Sequence, residues 1–430
     1  MQRVLSSLAI VFAVLCPWDA AAQSGPSNCS VASQNLYVRD VLNSFYYWYQ
    51  YLPGNVSPAS FNSPEAYLEA VRYRPIDNSF SYITPAAANE ALYGDSQYVG
   101  FGMSTQTAST HLTVLQVFDS SPAQEAGLVR GDRITQINGQ SVAALVSAGT
   151  IGGAFGASDI GVTSDLVFEK PTGDRRTARM VKRVVTIPTV SLTRVVEDDG
   201  RRIGYVFFRN FVRPSEAALN DAFAALKTAG ATELVLDLRY NGGGLVDIAV
   251  HLASLIGGAR TNGQVLLNYV HNDRVGPTYN KTTRFTDPDQ ALNLSRLVVI
   301  TSRSSASASE LIINSLRPYM PVTVIGDTTY GKPVGQYGFT FCDKVLAAVS
   351  FSIKNANHEG DYFDGIPPTC TAADDSAHQL GDTAEGSFAE ALTYLRTGAC
   401  SASATASRAQ RRVASERPAL SGFQLLVNAW

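Results

Sequence analysis

Histidine is scarce in this chain of 430 residues: there are five, scattered at positions 111, 251, 271, 358 and 378. No Cys-x-x-Cys spacing occurs, so neither residue type forms a metal-ligand pattern. Each histidine reads as a surface group or a satisfied core side chain, and no cofactor or metal is expected. Charge is also modest. Charged residues make up 17% of the chain and the net charge is −3, which gives no reason to expect nucleic acid or an anionic membrane as partner. Long apolar runs are missing after the N-terminus, so stable membrane insertion is not expected.

The N-terminus carries the pattern of an export signal. Arg3 supplies a short positive region, Leu8 to Leu15 form an apolar run too short to span a bilayer, and Ala20-Ala21-Ala22 offers small residues for cleavage before Gln23. Cys16 would suit a lipoprotein site only with a small residue before it, and Leu15 is bulky. The expectation is a soluble exported protein, periplasmic or secreted. Removing residues 1–22 leaves Cys29, Cys342, Cys370 and Cys400. An even number in an oxidising compartment suggests disulfides. The preferred pairing is Cys342–Cys370, which flank one β-rich segment, with Cys29–Cys400 tying the ends together.

A chain of this length, 45% hydrophobic, suggests two or three domains. From about Asn35 to Tyr82, Val38, Val41, Leu42, Phe45, Tyr46 and Trp48 recur at roughly helical spacing, and Ser63-Pro64-Glu65 begins a second helix with a cap and a proline at its first position. From Tyr98 to about Arg183 short strands and glycine turns take over. Beyond about residue 186 strand and helix alternate. Ile203–Phe208 reads as a strand, Ser215–Ala229 as an amphipathic helix with Leu219, Ala222, Phe223 and Leu226 on one face, and Glu233–Leu238 as a buried strand. The alternation implies an α/β core. After Cys400 the chain is rich in Ser, Ala and Arg, then ends in a short apolar run and Asn428-Ala429-Trp430.

Two turns carry candidate chemistry. Ser304-Ser305-Ala306-Ser307-Ala308-Ser309-Glu310 lies between a strand-like run, Leu297–Thr301, and a helix-like run, Leu311–Leu316. Such a turn can present a hydroxyl beside the N–H groups of a helix start. The serine needs a base, and Lys332 can serve if burial lowers its pKa. Asn241-Gly242-Gly243-Gly244 follows the buried strand, and glycines there let backbone amides approach an anion. Alone, either turn reads as ordinary.

Their conjunction resembles a family. "SPAQEAGL-x-x-GD-x-I-x-x-ING" over Ser121–Gly139 resembles the PDZ domains of exported proteases. With "LDLR-x-N-x-GG", "S-A-S-A-S-E" and "T-x-G-K" in that order, the chain resembles the carboxyl-terminal processing (tail-specific) proteases up to about Glu390. The resemblance implies a crotonase-like α/β Ser/Lys peptidase core at 186–400. It also implies a PDZ domain at 96–185; the periodicity and composition read above give a helical region at 23–95 and a low-complexity tail at 401–430. The middle serine of S-A-S-A-S falls on Ser307 as nucleophile, the lysine on Lys332 and the supporting glutamine on Gln336. The oxyanion hole maps to the backbone of Ala308 and of Gly243 or Gly244. The Gly100-Phe101-Gly102 loop would receive a peptide's C-terminal carboxylate, so the implied partners are proteins or peptides with free C-termini. Oligomeric state stays open, a homo-oligomer included.

Three departures stand out. Pro333 replaces the family's second glycine, Gly242 replaces its proline, and Cys342 and Cys370 are not general family features. Two other functions compete: a catalytically inactive peptide-binding scaffold, and acyl transfer on thioesters by the related crotonase-like fold. The tail also suggests that Val427–Trp430 could occupy the PDZ groove in cis or in trans.

Overall fold

The computed structural model describes residues 25–404, 422–427, 429 and 430. The leader-like stretch with Cys16, and residues 405–421 of the tail, lie outside the described residues.

Periodicity turns into helix where the apolar residues demand it. Val31–Phe45 forms a helix whose Val38, Val41 and Leu42 are buried, and Ser30 caps it. Pro64–Val71 follows, with the Ser63 side chain accepting the Ala66 N–H as the sequence suggests. The two helices pack on a five-stranded sheet built on the long strand Lys344–Lys354. Val334–Phe341 lies antiparallel beside it, and Tyr82–Pro85 and Val265–His271 also pair with it.

A second sheet of six strands runs in the order 190–198, 201–208, 233–237, 297–301, 322–326, 370–371. All pairs beyond the first are parallel. Parallel strands need crossovers, and helices supply them. Ser215–Thr228 turns Leu219, Ala222, Phe223 and Leu226 inward, as its spacing requires, and Val246–Gly257 and Ala308–Leu316 pack beside it in one apolar core. The central strands are largely apolar because both faces are covered.

Between the halves, Gln97–Gly100 and Arg183–Thr186 pair antiparallel, and a separate six-stranded antiparallel sheet lies between them in sequence. It has its own core, including Phe101, Val114, Ile134, Phe155 and Phe168. Ser121 caps the short helix Pro122–Glu125, as its sequence indicates. Among the described residues no helix is long and apolar enough to cross a membrane.

The cysteine pairing departs from expectation. The bonds are Cys29–Cys342 and Cys370–Cys400, not Cys342–Cys370 and Cys29–Cys400. The cause is sheet order. Cys370 opens an edge strand beside Ile325 in the parallel sheet, and Cys400 follows the helix Gly386–Thr397, which packs on that sheet. Cys342 lies at the tight turn joining Val334–Phe341 to Lys344–Lys354 in the other sheet, against the first helix, where Tyr37 meets Phe341.

A buried ionic network lies under the six-stranded parallel sheet's C-terminal edge. Arg239, 1% exposed, donates to Asp237 at 3.0 Å and to both oxygens of Glu385 at 2.7 and 2.8 Å. Arg130, from the separate antiparallel unit, reaches the Tyr240 hydroxyl at 2.7 Å and pairs with Asp374.

Candidate active site

Strand Leu297–Thr301 ends under the serine turn, and helix Ala308–Leu316 begins one residue after Ser307. Ser307 has φ of 55°, a left-handed backbone that a non-glycine residue adopts only when its surroundings enforce it. The neighbouring serines are structural. Ser305 Oγ donates to the Leu238 carbonyl at 2.8 Å, and Ser309 Oγ donates to the Asn241 carbonyl at 2.9 Å. Both stitch the serine turn to the glycine turn, while Ser307 lines a cavity of about 280 Å³.

Lys332, Gln336, Gly244 and Ala308 line the same cavity. Lys332 is 6% exposed, and its Nζ donates to Gln336 Oε1 at 2.7 Å. Gln336 is held in turn by donating to the Phe80 carbonyl. Burial pushes the Lys332 pKa down to about 8, against an opposing pull from the negative charges of Asp77 and Glu310. No hydrogen bond joins Ser307 Oγ to Lys332 Nζ in this structure.

The glycine turn resolves into two roles. Gly243 N–H donates to the Asn241 side chain at 2.9 Å. Gly244 and Ala308 both line the cavity. Gly243 has φ of 101°, and a Cβ there would lie 2.8 Å from Ser307 Cβ and 3.0 Å from Ala308 N, so a side chain is excluded where the two turns meet.

Sequence reading missed Glu310. Wholly buried, its carboxylate accepts the backbone N–H of Ser307 at 2.9 Å, of Gly331 at 2.7 Å and of Lys332 at 2.8 Å, and the Thr329 hydroxyl besides. Burial raises its pKa, against the lowering effect of those donors. Its position in S-A-S-A-S-E, three residues after the nucleophile candidate and at the third helical position, is a capping-box signal. Asp77 was also missed. Buried, it accepts from Tyr46 and from the N–H groups of Phe80 and Ser81, and so positions the Phe80 carbonyl that holds Gln336. The Gly365-Ile366-Pro367 segment buttresses the lysine loop: Ile366 N–H donates to Thr329 Oγ1 at 2.7 Å. Pro333 needs no N–H, since the adjoining bond runs from Ile353 N–H to its carbonyl.

Gly100, Phe101 and Gly102 stand apart from this cavity, in the antiparallel unit. The N–H groups of Phe101 and Gly102 both donate to the main-chain oxygen of Trp430 at 2.8 Å.

Comparisons with known proteins agree with this architecture. The model of peptidase family S41 matches residues 202–372, that of the peptidase S41 N-terminal domain residues 33–82, and that of the PDZ domain residues 113–149. A carboxyl-terminal-processing protease of a Picosynechococcus species is 27% identical over 264 residues, covering 60% of this chain and 59% of its own length. A protein of Staphylococcus aureus strain N315, inferred to be a CtpA-like serine protease, is 25% identical over 285 residues, covering 66% of this chain and 54% of its own length. The chain thus spans little more than half of these curated relatives. An inferred S41 protease of Bacteroides fragilis, known from a crystal structure, superposes with a TM-score of 0.69 at 26% identity, covering 84% of this chain and 97% of that one. The photosystem II D1 C-terminal processing protease shares the fold, with a TM-score of 0.50 at 20% identity over 79% of this chain and 92% of that one. Residues 202–372 thus carry the peptidase family S41 region, with an S41 N-terminal domain and a PDZ domain matched in the same chain.

Proposed function

We propose that the protein is an exported serine endopeptidase in which Ser307 is the nucleophile and Lys332 the general base. The observation that carries this reading is Lys332 itself. It is an amine buried beside the serine turn, with its pKa lowered to about 8 by desolvation, so roughly a fifth of it is neutral near pH 7.4. A surface lysine would be almost wholly charged there. Neutral Lys332 accepts the Ser307 proton as Oγ attacks a peptide carbonyl. The Gly244 and Ala308 N–H groups stabilise the oxyanion, the lysine returns the proton to the leaving amine, and water releases the acyl group. Gln336 orients the amine through the 2.7 Å hydrogen bond. Catalytic hydrogen bonds are often long before substrate binds, so the unjoined Ser307 and Lys332 are compatible with a resting enzyme.

Substrates are polypeptides captured by their C-terminal ends. The Gly100-Phe101-Gly102 loop supports this, since its N–H groups converge on the main-chain oxygen of Trp430. Export is supported by the two disulfides, which persist in oxidising compartments. The competing reading, an inactive peptide-binding scaffold, shares every feature except turnover. Hydrolysis of an unfolded protein by the purified chain separates them. Wild type should cleave, while Ser307→Ala and Lys332→Ala should not, with melting temperatures retained. No cleavage by wild type under any condition overturns the enzyme reading.

A further inference from the structure

The last residues of the chain already fill the groove that a substrate end would take. The main-chain oxygen of Trp430 accepts the N–H groups of Phe101 and Gly102 at 2.8 Å, the Met103 N–H at 3.4 Å and the Tyr98 hydroxyl at 2.9 Å. Trp430 N–H donates to the Met103 carbonyl at 2.8 Å, so Trp430 pairs with the edge of Met103–Thr107 in the mode by which a peptide extends a sheet, while Phe423–Val427 before it is a short helix. Gly100 leaves room for this: a Cβ there would lie 2.8 Å from the main-chain carbonyl carbon of Trp430.

The indole is recognised as well. Its Nε1–H donates to Thr105 Oγ1 at 2.9 Å, and its ring lies 5.0 Å from that of Phe155, at the edge of the unit's apolar core. An aromatic ring fills this pocket, and an indole or phenol also satisfies the hydroxyl.

Upstream, the segment crosses the ground between groove and cavity. The buried Arg209 guanidinium donates to the Val427 carbonyl at 3.0 Å. Leu425 packs among Ala306 and Tyr330, and its carbonyl lies so close to Gly242 that a Cβ there would sit 2.1 Å from it. Gly422 N–H donates to the Ser79 carbonyl at 3.0 Å, and Phe423 packs on Tyr82, which lines the cavity of Ser307. A polypeptide held by its end in the groove and led to Ser307 needs the same surface.

We propose that Phe423–Trp430 is the resident ligand of the PDZ groove, and that the groove selects polypeptides ending in an aromatic residue with a free carboxylate, which must displace this segment before cleavage. The proposal rests on the reading that the groove captures substrate ends. Thr105 and Phe155 are its specificity-determining side chains, and neither touches the cavity of Ser307.

The test uses a fluorescein-labelled peptide, Gln-Leu-Leu-Val-Asn-Ala-Trp, as free acid, as amide and with a final Ala in place of Trp. Anisotropy is read on the Ser307→Ala chain, on the same chain lacking residues 423–430, and on the full chain with Trp430→Ala in case the deletion fails to fold. A cis ligand competes at an effective concentration set by its tether, so the deletion and Trp430→Ala should tighten free-acid binding by about tenfold or more. The amide and Ala-ended peptides should bind weakly throughout. Thr105→Val with Phe155→Ala, in the deleted chain, should weaken binding of the Trp-ended peptide relative to the Ala-ended one. Equal affinities in full, deleted and Trp430→Ala chains overturn self-occupancy, and so does failure of all of them to bind the free acid. Equal binding of Trp- and Ala-ended acids overturns the selectivity. In chains with Ser307 restored, the deletion should speed cleavage of a protein ending in Trp. Absence of cleavage in every chain, with binding as expected, counts against the protease reading instead.

Discussion

Glu310 joins Ser307 to Lys332 through the backbone: one carboxylate oxygen accepts the N–H groups of both, at 2.9 and 2.8 Å. The nucleophile and base candidates, 25 positions apart in sequence (332 − 307), are thus fixed to a single buried side chain rather than to each other. Hydrogen bonds to a buried charged group contribute about 1.5–3 kcal/mol each. Glu310→Gln keeps the shape but replaces one carboxylate oxygen with an NH2, which turns a donor toward either the Ser307 and Lys332 N–H groups or the Gly331 N–H and Thr329 hydroxyl. It should lower stability by about 3 kcal/mol or more and reduce kcat more than it raises KM, as read by urea unfolding and steady-state kinetics. A Gln variant as stable and active as wild type would remove Glu310 from the account.

The pH profile reports on Lys332. The amine acts as base only when neutral, so kcat/KM should rise with pH and level off above about 8, the pKa to which burial lowers it. Asp77 opposes that lowering. Asp77→Asn removes the negative charge, favours the neutral amine and should move the inflection to lower pH. An inflection that stays in place in Asp77→Asn would mean that another group titrates.

Arg239 is held between Asp237 and Glu385, both buried. Arg239→Met leaves these carboxylates without their cation, and breaking a buried pair in this way costs about 3–5 kcal/mol. Urea midpoints compared with wild type check this. A change within error would mean that the carboxylates find other partners or protonate cheaply.

The Cys370–Cys400 bond closes a 30-residue separation. On the chain-entropy account, a loop of that size stabilises by about 3–4 kcal/mol. The double variant Cys370→Ser, Cys400→Ser should lose that amount in denaturant unfolding and keep activity at low temperature, because neither cysteine lines the cavity.

Much of this was legible in sequence because it is local. The cap at Ser63, the inward face of Ser215–Thr228 and the strand–turn–helix around Ser307 each depend on residues within a few positions of one another. The long-range pairings were not legible. Which cysteine meets which depends on sheet order, which puts Cys370 beside Ile325 and leaves Cys342 in the other sheet. That the Asn241 side chain takes the Gly243 N–H, which favours Gly244 as the oxyanion donor proposed above, required the fold. Arg239 meets Glu385, 146 positions away, and no local pattern announces that. That Val427–Trp430 could suit a PDZ groove is an expectation from its apolar run and the PDZ resemblance, while the indole's hydrogen bond to Thr105 required the fold.

The central claim is that Ser307 attacks carbonyl carbon with Lys332 as its base. The most direct measurement is trapping of the acyl-enzyme with an activated peptide ester, followed by peptide mapping by mass spectrometry. The account predicts a single acyl adduct on the peptide containing Ser307, absent in Ser307→Ala and formed about 10²–10⁴-fold more slowly in Lys332→Ala. An adduct on another residue, or one that forms equally in Ser307→Ala, would contradict it.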